Sequence, residues 1–119
     1  MMTKNKKTHD NYLEKIPVRS PLLAFEADEN GIVTLSIENK GLFNRIAQVL
    51  FKRPKTSYVH LDEFGSFVWQ CIDGRADITA IGIAVKEHFG EKAEPLYDRL
   101  SRFFQILHSY RFISFKGEK

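Results

Sequence analysis

The sequence feature that most constrains the fold is the run from Tyr58 to Gly74, which reads YVHLDEFGSFVWQCIDG. It begins as a short strand and turns into a helix at Asp62, whose carboxylate can accept hydrogen bonds from the first helical amides. Apolar residues then recur three and four positions apart, as on one face of a helix: Phe64, Phe67, Val68, Cys71 and Ile72. Gly74 is suited to ending that helix. A strand leading directly into a capped helix predicts a packed α+β domain.

The size and composition of the chain favour one globular domain. It has 119 residues, of which 43% are hydrophobic, and no apolar run approaches the ~20 residues that span a bilayer. The basic N-terminus lacks the apolar segment of a secretory signal. A single cysteine, Cys71, cannot form an internal disulfide. We therefore expect a protein of the reducing cytoplasm, without a membrane partner.

The positive charge is concentrated at the N-terminus. Residues 1–20 contain five lysines and arginines against two acidic residues, and the rest of the chain is balanced at thirteen of each. We predict a flexible basic tail over residues 1–20 and a folded domain over residues 21–119. This distribution weakens any inference from overall charge to nucleic-acid binding.

The segment before this central run predicts two strands and a short helix. Strands at Leu23–Glu26 and Ile32–Ile37 are joined by a turn that contains Asn30-Gly31, a strong hairpin signal. Apolar residues between Leu42 and Phe51 then predict an amphipathic helix. A third strand follows at Thr56–Leu61. Five basic residues between residues 40 and 55 form either a solvated surface or a patch for an anionic partner.

Two further helices follow Gly74. Asp77 is the predicted cap of a helix over 78–89, in which Gly82 indicates a close helix crossing because glycine otherwise costs ~1 kcal/mol there. The last helix is predicted over 95–110, and a short strand or docked tail over Phe112–Phe115. This order predicts an α+β, winged helix-turn-helix-like domain, with a small three-stranded antiparallel sheet packed on a three-helix bundle.

No pattern typical of an active site is present in the sequence. The four histidines share no metal-ligand spacing with cysteines or carboxylates, and no glycine-rich phosphate loop occurs. Cys71 lies on the apolar face of its helix and is interpreted as packing. We therefore expect a protein that is not an enzyme and that needs no metal or cofactor.

Two binding hypotheses follow from the predicted architecture. A winged-helix protein can bind DNA, here through the 40–55 segment with Arg99 and Arg102, but the last helix is too aromatic for a typical major-groove helix. Alternatively, an extended peptide can add to the edge of the sheet. The last helix has more apolar surface than one buried face requires, which favours the peptide hypothesis. A structural subunit of an enzyme complex is a third possibility.

The residues also resemble a known family. The LDEFGS of residues 61–66, the IDG of residues 72–74 and the run ITAIGIAVKEHFGEKAEPLYDRLSRFFQILHSYRFI are similar to the PqqD-like family over about residues 22–115. The resemblance implies a non-catalytic recognition element that binds the leader of a ribosomally made precursor peptide as an added strand. A partner enzyme, such as a radical S-adenosylmethionine protein, would then modify the peptide.

The resemblance also implies which residues bind the peptide. Those on the third strand are Ser57, Tyr58, Val59, His60 and Leu61. Those on the last helix, which is the third helix of the bundle, are Leu100, Phe103, Phe104 and Leu107. A proline at Val59 is expected to abolish binding if the Val59 amide pairs with the peptide. Nucleic acid is not the expected partner, and the sequence favours neither a monomer nor a homodimer.

Overall fold

The computed structural model describes residues 12–38 and 56–118, so the helix predicted between Leu42 and Phe51 lies outside the described residues. The fold is α+β, as predicted. Its strands are β1 (Pro17–Arg19), β2 (Leu23–Ala27), β3 (Val33–Glu38), β4 (Thr56–His60) and β5 (Ile113–Phe115), and its helices are α1 (Glu63–Cys71), α2 (Ile78–Phe89) and α3 (Leu96–Ser109). A 3-10 turn, Gly90–Ala93, connects α2 to α3.

The described residues form two compact units. The sheet unit contains residues 21–38 and 56–66, and the helical unit contains residues 12–20 and 67–118; helix α1 begins in the first unit and ends in the second. The winged-helix arrangement stays a prediction. Among the described residues, no helix is long and apolar enough to cross a membrane.

The sheet unit is built on the predicted hairpin. Antiparallel strands β2 and β3 pair from Leu23 opposite Ile37 to Ala27 opposite Val33. The Asp28 carboxylate accepts hydrogen bonds from the amides of Asn30 (2.8 Å) and Ile32 (2.9 Å), and Gly31 has a φ of 82°. An Asx turn followed by a residue with positive φ fixes the tight reversal. The Asn30-Gly31 prediction is therefore confirmed.

Strand β4 pairs antiparallel with β3, and α1 begins immediately after it. Leu35 lies opposite Val59, and both Val33 and Leu35 are fully buried. The Asp62 carboxylate accepts the Gly65 amide at 2.7 Å, so Asp62 caps α1 as predicted. Because the strand runs directly into a capped helix, the end of β4 is held at a defined position.

The helical unit is packed around α2 and α3. The Asp77 carboxylate caps α2 by accepting the Ala80 amide at 2.8 Å. A Cβ atom at Gly82 would lie 2.7 Å from Cε1 of Tyr97 and 3.1 Å from Cδ1 of Leu100, so the predicted close crossing is present. The apolar core of this unit consists of Val68, Trp69, Ile72, Ile78, Ile81, Val85, Ala93, Leu96, Leu100, Phe104, Leu107, Ile113 and Phe115.

Residues 12–20 belong to the helical unit. Strand β1 pairs antiparallel with β5, so that Val18 lies opposite Ser114. The Ile78 amide donates to the carbonyl of Lys15 at 3.1 Å, and the Thr79 hydroxyl donates to the carbonyl of Leu13 at 3.2 Å. Hydrogen bonds thus connect the described part of the N-terminal segment to β5 and to the start of α2.

Candidate functional site: the edge of strand β4

The nine residues that the sequence proposes for peptide binding fall in two different units. Ser57, Tyr58, Val59, His60 and Leu61 lie in the sheet unit, and Leu100, Phe103, Phe104 and Leu107 lie in the helical unit. Four of the first group lie on one strand, β4, and Leu61 follows it directly. All members of the second group lie on one helix, α3.

Strand β4 lies at an edge of the sheet. The strand order is β2-β3-β4, so β3 is central and β4 has a strand on one side only among the described residues. Each residue of an edge strand directs its main-chain amide and carbonyl either toward its neighbour or away from the sheet. Only residues whose main-chain groups point away from the sheet can pair with an added strand. The hydrogen bonds between β3 and β4 show which residues these are.

The ladder directs the main-chain groups of Tyr58 and His60 away from β3. The Leu61 amide donates to the Val33 carbonyl at 2.9 Å, which identifies Leu61 and Val33 as a hydrogen-bonded pair. Hydrogen-bonded pairs recur every second residue in an antiparallel ladder. With the observed register, Val59 is therefore hydrogen-bonded to Leu35, whereas Tyr58 and His60 face outward.

The other side of β3 gives an independent check of this assignment. The Asp28 amide donates to the Ile32 carbonyl at 3.0 Å, which turns Thr34 and Ser36 toward β2. Val33 and Leu35 must then face β4, as the Leu61 hydrogen bond also requires. Within the described part of the chain, no residue is hydrogen-bonded to the outward main-chain groups of Tyr58 or His60.

This geometry corrects the expectation for Val59. Its amide pairs with β3 and cannot also donate to an added strand, so a proline at Val59 would break the ladder of the sheet itself. The outward donors are one residue to either side. Sequence reasoning missed this because the direction of an amide depends on which residue of the neighbouring strand lies opposite it.

The side chains of β4 alternate between two environments. Val59 and Leu61 are half-buried, and Val59 lies opposite the fully buried Leu35. Tyr58 and His60 point to the opposite face, where Tyr58 is 63% exposed. On that face the Nδ1 atom of His60 is hydrogen-bonded to the Thr34 hydroxyl at 2.9 Å. An added strand would thus meet an apolar face on one side and polar side chains on the other.

The four predicted residues of α3 have unequal exposure. Leu100, Phe104 and Leu107 are buried in the core of the helical unit, whereas Phe103 is half-buried. The large apolar residues that are exposed on α3 and at its C-terminal cap are Ile106 (48%) and Tyr110 (66%). Neither belongs to the predicted set. The signal for Ile106 in the sequence is the apolar content of this helix, which exceeds what one buried face requires.

The other candidate groups have structural partners. Burial, followed by the charge of Asp73, raises the pKa of the Cys71 thiol, which is the opposite of an activated nucleophile. Amides of Ala76 and Arg75 donate to the Asp73 carboxylate and lower its pKa. The IDG turn therefore has a structural explanation. Over residues 12–38 and 56–118, no group of three or more His, Cys, Asp or Glu side chains is arranged to hold a metal ion.

The features behind the DNA-binding hypothesis are only partly described. Its basic segment, residues 40–55, lies outside the described residues. One guanidinium nitrogen of Arg99 donates to the Lys92 carbonyl at 2.8 Å, which ties this side chain to the turn between α2 and α3. Arg102 is exposed on α3.

Comparison with known protein families adds a decisive observation. Residues 32–113, more than two thirds of the chain, match the family described as coenzyme PQQ synthesis protein D (PqqD). The chain belongs to the PqqD family. The match includes β3, β4 and all three helices, and thus both groups of predicted site residues. Neither the curated proteins nor the solved structures gave a match to this chain.

Membership of the PqqD family narrows the class of function. PqqD proteins are non-catalytic accessory proteins that bind a precursor peptide and act with a modifying enzyme in PQQ synthesis. In this chain, β1 and most of β5 lie outside the matched residues, as does β2. The LDEFGS and IDG segments lie within the matched residues, so the resemblance to the PqqD family is confirmed.

Proposed function

We propose that this protein captures the leader of a ribosomally made precursor peptide as an additional strand on the outer edge of β4. It then presents the peptide to a modifying enzyme, for which a radical S-adenosylmethionine protein is our first candidate. The protein itself performs no chemistry in this proposal and needs no cofactor. The modifying enzyme acts on the part of the peptide that follows the leader.

A single observation carries the proposal: an edge strand directs main-chain donors and acceptors outward in a chain whose family binds precursor peptides. Tyr58 and His60 each offer one amide and one carbonyl. Main-chain pairing of this kind supplies affinity without demanding a particular sequence, and side-chain contacts supply the selectivity. Ser57, Val59 and Leu61 then contribute the half-buried side chains of the opposite face.

The four predicted helix residues differ in burial, and therefore in whether their replacement can test binding without disturbing the fold. Leu100, Phe104 and Leu107 are core residues, so their replacement would disturb folding as well as binding. Phe103 is the one predicted helix residue that is not fully buried, and it packs edge-on against Phe104 with ring centroids 6.0 Å apart. The helix part of the prediction is therefore tested at Phe103.

The proposal is tested by titrating labelled protein with synthetic peptides that tile the short open reading frames beside its gene. Backbone amide signals are followed by NMR. We expect at least one peptide to shift signals that cluster at residues 57–61. A tight-binding peptide that leaves Tyr58 and His60 unshifted would refute strand addition at β4. Peptide capture also predicts a shallow salt dependence, whereas steeply salt-dependent binding to duplex DNA would favour the nucleic-acid hypothesis.

A further inference from the structure

The polar face of the sheet contains two rows of side chains that end at the outer edge of β4. One row consists of Glu26, Thr34 and His60, and the other consists of Ala24, Ser36 and Tyr58. An added strand would extend each row by one position, because side chains of paired residues lie on the same face. If a leader peptide is captured as proposed above, one of its side chains must therefore lie beside His60.

The imidazole of His60 has one ring nitrogen engaged and one left for a ligand. Nδ1 is 2.9 Å from the Thr34 hydroxyl, which can donate to Nδ1 of the neutral ring or accept from Nδ1–H of the charged ring. The contact to Thr34 therefore persists in both charge states. Nε2 has no hydrogen-bond partner among the described residues. It can donate to an acceptor on the peptide.

Among the described residues, the carboxylates nearest to His60 in its row or along the chain are Glu26, Asp62 and Glu63. Glu26 lies at the far end of the same row, with the uncharged Thr34 between them. Asp62 is two residues further along the chain, and its carboxylate is engaged by the Gly65 amide. Glu63 starts α1, and the Tyr58 side chain shares the face with His60. No lysine or arginine stands in either row, so His60 is the only residue of the two rows that can become positively charged.

We infer that His60 selects the captured peptide by charge, and that it favours a carboxylate side chain at the position beside it. The neighbouring peptide residue lies on the opposite face beside the half-buried Val59 and is expected to be apolar. Histidine becomes positively charged between about pH 8 and about pH 5. Capture of such an acidic-apolar peptide therefore strengthens as the pH falls through this range.

The test uses three short blocked peptides in which valine alternates with glutamate, glutamine or lysine. A register slip of two residues restores the same pairing, so the alternating sequence removes register as a variable. Each peptide is titrated by NMR into the full chain at about pH 8 and about pH 5, where glutamate is still largely ionised. We expect the glutamate peptide to bind about two- to five-fold more tightly at the lower pH, the worth of one cross-strand charge pair.

Matched variants separate the charge of His60 from other effects of pH. His60→Gln keeps hydrogen-bonding capacity without the charge and should remove the pH dependence. His60→Lys carries a permanent charge, so the preference for glutamate should persist at both pH values. Amide spectra of each variant establish that the sheet is intact.

The outcomes distinguish this inference from the proposed function. Equal affinities of the glutamate and glutamine peptides at both pH values, with shifts at residues 57–61, would overturn selection by His60 and leave strand addition intact. If none of the three peptides shifts residues 57–61 at millimolar concentration, the charge selection is refuted. Strand addition is then judged separately from the tiled natural peptides.

Discussion

The Ser66 hydroxyl accepts the amide of Val33 at 2.8 Å, although the two residues are 33 positions apart in the chain. The same oxygen lies 3.3 Å from the Leu61 carbonyl, to which it can donate. Ser66 therefore replaces one direct hydrogen bond of the β3–β4 ladder at the point where β4 ends and α1 begins. Ser66 is 1% exposed and Val33 is fully buried, so solvent cannot substitute for the hydroxyl.

Replacing Ser66 with alanine should destabilise the protein by about 1–3 kcal/mol, because it leaves a buried amide without an acceptor. The free energy of unfolding is measured by urea denaturation. Ser109→Ala, at an exposed position at the end of α3, is the matched control and should change stability by less than about 0.5 kcal/mol. Equal losses for the two variants would contradict the role given to Ser66.

Replacing Gly82 with alanine should destabilise the helical unit although alanine is the better helix former. Intrinsic propensity favours alanine by about 1 kcal/mol. The added Cβ would lie 2.7 Å from the Tyr97 ring and 3.1 Å from Cδ1 of the fully buried Leu100, and overpacking of this kind costs about 1–3 kcal/mol. In a Tyr97→Ala background the same substitution should be close to neutral or stabilising. A double-mutant cycle by urea denaturation measures this coupling.

Replacing Tyr58 with proline should weaken peptide capture by about 1–3 kcal/mol and leave the sheet folded. Tyr58 directs its amide outward, where proline is tolerated at a sheet edge. Tyr58→Ala removes the same side chain but keeps the amide, so the difference in affinity between the two variants isolates the main-chain donor. Affinity is measured with a peptide identified in the titration.

Val59→Pro completes this comparison. Because the Val59 amide belongs to the β3–β4 ladder, this variant should lose the native amide spectrum of the sheet rather than peptide affinity alone. A folded Val59→Pro protein with selectively lost binding would show that the ladder direction assigned to β4 is wrong.

Stability should fall in acid partly through Glu118. The amide of Phe115 donates to its carboxylate, and His108 Nε2 lies 3.0 Å away; together they hold the pKa of Glu118 below its ordinary value. A carboxyl group whose pKa is lower in the folded state stabilises the fold at pH values above its unfolded-state pKa. This stabilisation is lost as the pH falls through the folded-state pKa. Glu118→Gln should therefore show a flatter loss of stability between neutral pH and about pH 3.

The control for this measurement is Glu87→Gln, at an exposed position on α2. It should keep the pH dependence of the parent protein. Direct titration of the Glu118 carboxyl signal by NMR gives a second readout, and a midpoint at or above the ordinary glutamate value would contradict the prediction.

The sequence predicted those features that depend on neighbouring residues. The Asn30-Gly31 turn and the caps Asp62 and Asp77 follow from local conformational preference and hydrogen bonding. The crossing at Gly82 was predicted because glycine inside a helix is unfavourable unless a neighbour comes close. Apart from β1, where no strand was predicted, the described strands and helices lie within a few residues of their predicted ends, because alternation and helical periodicity are properties of the local chain. Family membership also followed from local motifs.

The tertiary structure decided the features that depend on residues far apart in the chain. These include the pairing of β1 with β5, the position of β4 at an edge of the sheet among the described residues, and the burial of Leu100, Phe104 and Leu107. The sequence proposed peptide capture on β4, which has a strand on one side only among the described residues, but it chose Val59, whose amide faces β3, for the proline test. Whether Val59 or Tyr58 faces outward depends on the register with β3, which is fixed by a hydrogen bond from Leu61 to Val33 across the sheet. No local pattern encodes that choice.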